Sequence, residues 1–177
     1  MNFLVVEDEN TKYNDISDVI NNMNYATIER ANNTKEAIRL LRTKTYDIIL
    51  LDMTLPYSKD NRKLNTYAGK ELLFDMQIEE IEVPTIVITR YTNFGSEQTA
   101  ISSSKPLTYL LNDNWGNNFE YRYEHCDITH FEGLHNYLKN EIPFYVGIIF
   151  FTQQNDLWKN NLVELIGRIK KDEYTDC

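Results

Sequence analysis

Residues 48–56 read IILLDMTLP. Four apolar side chains, Ile48 to Leu51, run without a polar break, Asp52 follows, and Pro56 closes the stretch. An unbroken apolar run of this length predicts a strand covered on both faces, as in a parallel sheet. Proline cannot donate to a strand ladder, so the run stops there and Asp52 falls at the carboxyl end of the strand.

Working outward, Phe3–Val6 is a second short apolar strand, ending in Glu7 and Asp8. Ile16, Val19, Ile20 and Met23 follow at i, i+3, i+4, i+7, one face of a helix opening near Asn10 or Thr11. Tyr25–Glu29 reads as another strand. Asn33 and Glu36 resemble a capping box ahead of a short helix whose buried face is Ala37, Ile38 and Leu41. Beyond Pro56 a polar loop, 58–65, carries Lys59, Asp60, Arg62 and Lys63, charges able to gate the neighbouring site. A helix with Leu72, Leu73 and Met76 comes next, then a fourth strand, Thr85–Thr89, introduced by Pro84. Tyr145–Phe151 is the fifth, and Trp158, Leu162, Leu165 and Ile169 mark a last helix.

Five strands alternating with helices predict an α/β domain, a parallel sheet with right-handed crossovers and helices on both faces. The expected domain spans 1–170 with 171–177 as a tail; 91–143 is an elaboration between the fourth and fifth strands, too rich in aromatics for disorder. Its rings pack an enlarged core or serve a partner surface.

Bulk properties narrow the function. The 177 residues carry 27 acidic and 18 basic side chains, a net charge of −9 that disfavours direct DNA or RNA binding. The longest apolar run, Phe144–Phe151, is too short for a membrane span, and the start of the chain has no basic leader. With only Cys126 and Cys177, a free-thiol cytoplasmic protein is expected.

Ligands of open α/β sheets sit beyond the carboxyl ends of the strands, where Glu7, Asp8, Asp52 and Thr89 all fall. Three converging carboxylates repel one another unless a cation balances them. Mg²⁺ suits such oxygen donors and keeps room for a phosphoryl oxygen. Glu7 and Asp8 are the expected holders of the ion and Asp52, ending the central strand, the nucleophile toward phosphorus; the Met53 carbonyl is a further candidate ligand.

VVED at 5–8, IILLDMTLP at 48–56 and PTIVIT at 84–89 together resemble the receiver domain of two-component response regulators. The 44-residue separation of Asp8 and Asp52 is also typical of it. The resemblance covers 1–90 well and 144–170 in pattern. It implies a flavodoxin-like, doubly wound fold of strand order 2-1-3-4-5, Mg²⁺ at the acid pocket and Asp52 as phosphoacceptor. It also implies Thr89 as switch hydroxyl, and as partners a histidine kinase or phosphotransfer protein and an unidentified effector. Homodimers through the last helix are common in that family. No output domain is recognisable after the last helix, so a stand-alone receiver acting by altered partner binding is expected. The alternative is a phosphorylation-independent pseudo-receiver, an interaction module.

The chain departs from the family in its cations. Between Glu141 and Trp158 it has no lysine or arginine, where receivers carry a Lys-Pro at the end of the fifth strand. Lys105, in the chain's Lys-Pro, and Arg90, placed to contact a phosphate, are the candidate replacements. Asp52-Met53-Thr54 resembles the nucleophile motif of haloacid-dehalogenase-type phosphatases, yet Thr54 stands where those need a second aspartate, so an enzyme is not expected. His125, Cys126, His130 and His135 cluster at spacings that fit no usual zinc pattern.

Overall fold

In a computed structural model the described residues are 1–23, 26–56, 58, 64–65, 68–90, 109–111 and 129–172. The chain divides into two compact units, Met1–Thr85 and Ile86–Cys177.

In the first unit, β1 (Asn2–Val6), β2 (Thr27–Ala31) and β3 (Ile48–Leu51) lie side by side. β1 is central and pairs in parallel with both neighbours, Val6 aligned with Ala31 on one side and Leu51 on the other. Phe3 to Val6 and Ile48 to Leu51 are all buried, as their unbroken apolar runs require. β2 is the half-buried edge strand and starts at Thr27, two residues later than expected, because register with β1 sets it. Tyr25 lies outside the described residues.

α1 (Asn10–Asn21) follows β1 and buries Lys12, Ile16, Ser17, Val19 and Ile20. Met23 falls beyond its end. α2 (Thr34–Leu41) starts at Asn33, whose side chain accepts from the Glu36 amide at 2.9 Å, a cap worth about 1 kcal/mol. Glu36 returns the bond to the amide of Asn32 rather than Asn33. Leu40 takes the buried place expected of Ile38, which is half-buried.

After β3, β4 (Leu55–Pro56) and β5 (Leu64–Asn65) pair antiparallel, Leu55 opposite Asn65. α3 (Ala68–Ile78) buries Leu72, Leu73 and Met76 as expected, together with Ala68 and Gly69.

The second unit holds all but the first residue of β6 (Thr85–Thr89), then β7 (Tyr109–Leu111), α4 (Thr129–Glu141), β8 (Tyr145–Phe150) and α5 (Leu157–Asp172). The amide of Phe151, just past β8, donates to the Thr89 carbonyl at 2.9 Å, so β6 and β8 end together and run parallel. α5 buries Trp158, Leu162, Leu165, Ile166 and Ile169.

Hydrogen-bonded neighbours run β2-β1-β3-β6-β8-β7. The first five are the expected parallel strands in the expected order. β7 adds an antiparallel edge strand, Leu110 opposite Ile148, drawn from the segment whose pattern was hardest to read. No helix among the described residues is long and apolar enough to cross a membrane.

Candidate functional site

The site belongs to the first unit and is built on the ends of β1 and β3. The Glu7 amide donates to the Ala31 carbonyl and the Asp52 amide to the Val6 carbonyl, both at 3.0 Å. The two strand ends are thereby knitted together where the acids begin. Glu7, Asp8 and Asp52 each offer a carboxylate oxygen, and these atoms all lie within 4.8 Å of one another. Glu7 and Asp52 are buried; Asp8 is the most open of the three.

A fourth charge completes the cluster. Lys12, on the first turn of α1, is buried to 1% exposure, with its ammonium 2.7 Å from Glu7 Oε2 and 3.0 Å from Asp52 Oδ1. It is not among the site residues expected from the sequence. Its signal was position: one turn before Ile16, on the face that Ile16, Val19 and Ile20 bury. Among the described residues it is the cation in contact with Asp52.

The oxygens are not equivalent. Asp52 Oδ1 also accepts from the Met53 amide at 2.8 Å, while Oδ2 has no hydrogen bond or ion pair among the described residues. Glu7 is engaged through both oxygens, Oε1 accepting from the Glu9 amide at 2.9 Å. Among the described residues the Asp8 carboxylate has no hydrogen-bond or ion-pair partner. Open donors are therefore Asp8 and Asp52 Oδ2, with Glu7 behind them.

Burial pushes Asp52 and Glu7 up from their ordinary carboxyl values, against the pull of Lys12. Asp8 is raised as well, by burial and then by Glu7. Burial alone would pull Lys12 down, but Asp52 and Glu7 outweigh it and hold the ammonium above its ordinary value. Three carboxylates and one ammonium leave a formal charge of −2, the balance a divalent ion restores. Hard oxygen donors, two of them unsatisfied, fit Mg²⁺. Nearby, the buried Thr54 hydroxyl has no hydrogen-bond partner.

Two residues hold this geometry from outside. Arg30 on β2 donates from Nε to the Glu7 carbonyl and from Nη2 to the Asp8 carbonyl, each at 2.9 Å. Its Nη1 reaches Asn10 Oδ1 at 2.8 Å, and its guanidinium lies over the Tyr13 ring. The loop from β1 into α1 is thus clamped. On the other side Gly69 comes so close that a Cβ there would sit 2.5 Å from the Asp52 carbonyl oxygen. The Gly69 amide donates to the Met53 carbonyl at 3.0 Å, which turns that candidate ligand toward α3.

The other expected residues are placed as follows. Thr89 ends β6, buried, in the second unit. Arg90 follows it and lies over the Phe151 ring, 4.9 Å from its centroid. Lys105, His125, Cys126 and the charges of 59–63 lie outside the described residues, as does the side chain of His130. His135 is buried and shares a 2.9 Å hydrogen bond with the Tyr145 hydroxyl, a satisfied core histidine. Of the aromatic segment, Phe144, Tyr145 and Phe151 are buried in the core, with Phe151 against Trp158.

Known proteins resemble this chain in sequence and in fold. The family model of the response regulator receiver domain matches residues 3–104. The Detocs response regulatory protein DtcB of Enterobacter cloacae is 29% identical over 131 residues, 70% of this chain and 69% of its own length. The receiver domain of the Francisella response regulator 1452 aligns with a TM-score of 0.53 over 97% of this chain and 98% of its own, at 19% identity. The signal receiver domain of a putative Luxo repressor protein from Vibrio parahaemolyticus aligns at 0.55 over 99% and 97%, at 14% identity. These two likenesses concern the fold. The chain belongs to the response regulator receiver domain family of two-component signalling.

Proposed function

We propose that this receiver accepts a phosphoryl group on Asp52 in a Mg²⁺-dependent reaction and signals by changing its contacts with a protein partner. The observation that carries the reading is the convergence of Glu7, Asp8 and Asp52 within 4.8 Å at one sheet edge. Receiver domains take Mg²⁺ at such an acidic pocket and receive phosphoryl groups from histidine kinases or phosphotransfer proteins. Here Asp8 and Asp52 would hold the ion, backed by Glu7, and the Met53 carbonyl, which accepts from the Gly69 amide with one lone pair, is a further candidate ligand through the other. Bound there, the ion screens the charge of an incoming phosphoryl group.

The chain's own residues prepare the acceptor. Met53 and Lys12 fix Oδ1 of Asp52, leaving Oδ2 as the oxygen that attacks phosphorus. The donor, an acyl or amidino phosphate, loses its bond to phosphorus and keeps the electron pair; Asp52, already ionised, gives up no proton. Thr89 at the end of β6 is the hydroxyl that answers the new phosphoryl group, and Arg90 beside it is a candidate phosphate contact. The receiver-like domain spans 1–170 of a cytoplasmic protein, and the effector is a protein rather than nucleic acid.

The test is incubation with Mg²⁺ and acetyl phosphate, read by intact mass. The wild type gains one phosphoryl group and Asp52→Asn gains none. A wild type that stays unmodified under these conditions would favour the phosphorylation-independent interaction module instead.

A further inference from the structure

We infer that Lys12 is the charge partner of the phosphoacceptor: it holds Asp52 Oδ1 in place before transfer and pairs with the phosphoryl oxygens afterwards, so that the modification is felt by α1. This rests on Asp52 being the acceptor and adds the residue that senses it.

The geometry is specific. Lys12 is among the largest fully buried side chains, and its ammonium bridges Glu7 Oε2 and Asp52 Oδ1 at 2.7 and 3.0 Å. A lysine so deeply buried is kept only where carboxylates compensate its lost hydration. The chain from 142 to 157 contains no basic residue, so the end of β8 offers no cation of its own. Lys12 is anchored on the first turn of a helix whose entry Arg30 pins at Glu7, Asp8 and Asn10. An ammonium fixed in this way is a preorganised counter-charge.

Phosphoryl transfer supplies the driving force. The bond from Asp52 Oδ2 to phosphorus forms as the donor's bond breaks, and Asp52 changes from a single charge to roughly two on three equivalent oxygens. Lys12 already lies on the neighbouring oxygen of that carboxyl. The added charge draws it away from Glu7 toward the phosphoryl group, a shift of partners within one side chain's reach. When Lys12 leaves Glu7, whose other oxygen accepts from the Glu9 amide, the loop 7–10 and the first turn of α1 register the change. α1 starts from Glu9, which supplies no side-chain cap, so this turn is held by Arg30 and Lys12 rather than by its own capping bonds.

A role in charge separates from a role in folding by its sign on two measurements. Lys12→Met keeps the stem of the side chain without its ammonium and takes the pocket's formal charge from −2 to −3. Mg²⁺ titration by calorimetry should then show several-fold tighter binding. Acceptance from acetyl phosphate should fall on the order of 10²-fold. A distorted pocket would lose both together. If Lys12→Met does not fold, Glu7→Gln/Lys12→Met removes the buried charge pair as a unit, and slow acceptance is expected again. Acceptance at the wild-type rate in either variant, or Mg²⁺ binding weakened in Lys12→Met, overturns the inference. A wild type that takes no phosphoryl group sinks the Asp52 reading itself, while the Mg²⁺ comparison still reports on Lys12.

Discussion

Lys12 Nζ lies 3.0 Å from Asp52 Oδ1 and is delivered by the first helix, whereas residues 142 to 157, which include β8, contain no basic side chain. The carboxylate that ends the central run of the sheet is therefore neutralised from the side of β1. Breaking this arrangement exposes its energetics. With Lys12→Ala, Glu7 and Asp52 keep their burial and lose their counter-charge, and a buried pair stripped of one partner costs about 3–5 kcal/mol. Urea denaturation at neutral pH should show a loss of that size, and Mg²⁺ should recover part of it. A midpoint unchanged without Mg²⁺ would show that the pair contributes nothing net.

Arg30 acts on the acid pocket without touching a carboxylate. It bonds the backbone carbonyls of Glu7 and Asp8, and partners of this outer kind are typically worth about 10–100-fold in metal affinity. Arg30→Met should weaken Mg²⁺ binding within that range, with the far-ultraviolet circular dichroism spectrum unchanged. Equal affinities in the two proteins would remove Arg30 from the site.

Gly69 is fixed by space. A methyl group there meets the Asp52 carbonyl oxygen at 2.5 Å and the Met53 Cα at 2.7 Å, both backbone atoms that cannot swing aside. Gly69→Ala should cost about 1–3 kcal/mol through forced backbone movement. Because the displaced backbone carries Asp52, phosphoryl acceptance should fall as well. A crystal structure of the variant with Asp52 and Met53 unmoved would refute this.

The raised carboxyls give the free protein a pH dependence of definite sign. Asp52, Glu7 and Asp8 hold protons more tightly folded than unfolded. Their contribution is complete below the ordinary carboxyl values and is lost as pH rises through the folded ones. In the absence of divalent ions, Tm should fall from mildly acidic pH toward neutrality. Asp8→Asn should flatten the slope, and so should saturating Mg²⁺. A Tm that rises over this interval would contradict the sign.

What could be read from the sequence depended on whether a residue's neighbours in the chain were also its neighbours in space. Ile48–Leu51 and Thr85–Thr89 were legible to the residue because buried parallel strands are continuous apolar runs. Asp52 followed from the first of these, and Glu7 and Asp8 from the apolar run Phe3–Val6, as groups at strand ends. β2 was harder: an edge strand of intermediate burial has a weak pattern, and its start is set by pairing with β1. β7 is three residues long and exists by pairing with β8. Lys12, inside NTKYND, has the composition of a solvated helix face; only its helical phase with Ile16 marks it as buried. Arg30 gave no signal, since its bonds go to backbone carbonyls of another strand's end.

Mg²⁺ calorimetry on the wild type, Asp8→Asn and Asp52→Asn tests the acid pocket most directly. The account predicts one ion bound by the wild type and binding lost or strongly weakened in both variants. Wild-type protein that takes up no Mg²⁺, or an Asp8→Asn variant that binds it as well as the wild type, would contradict it.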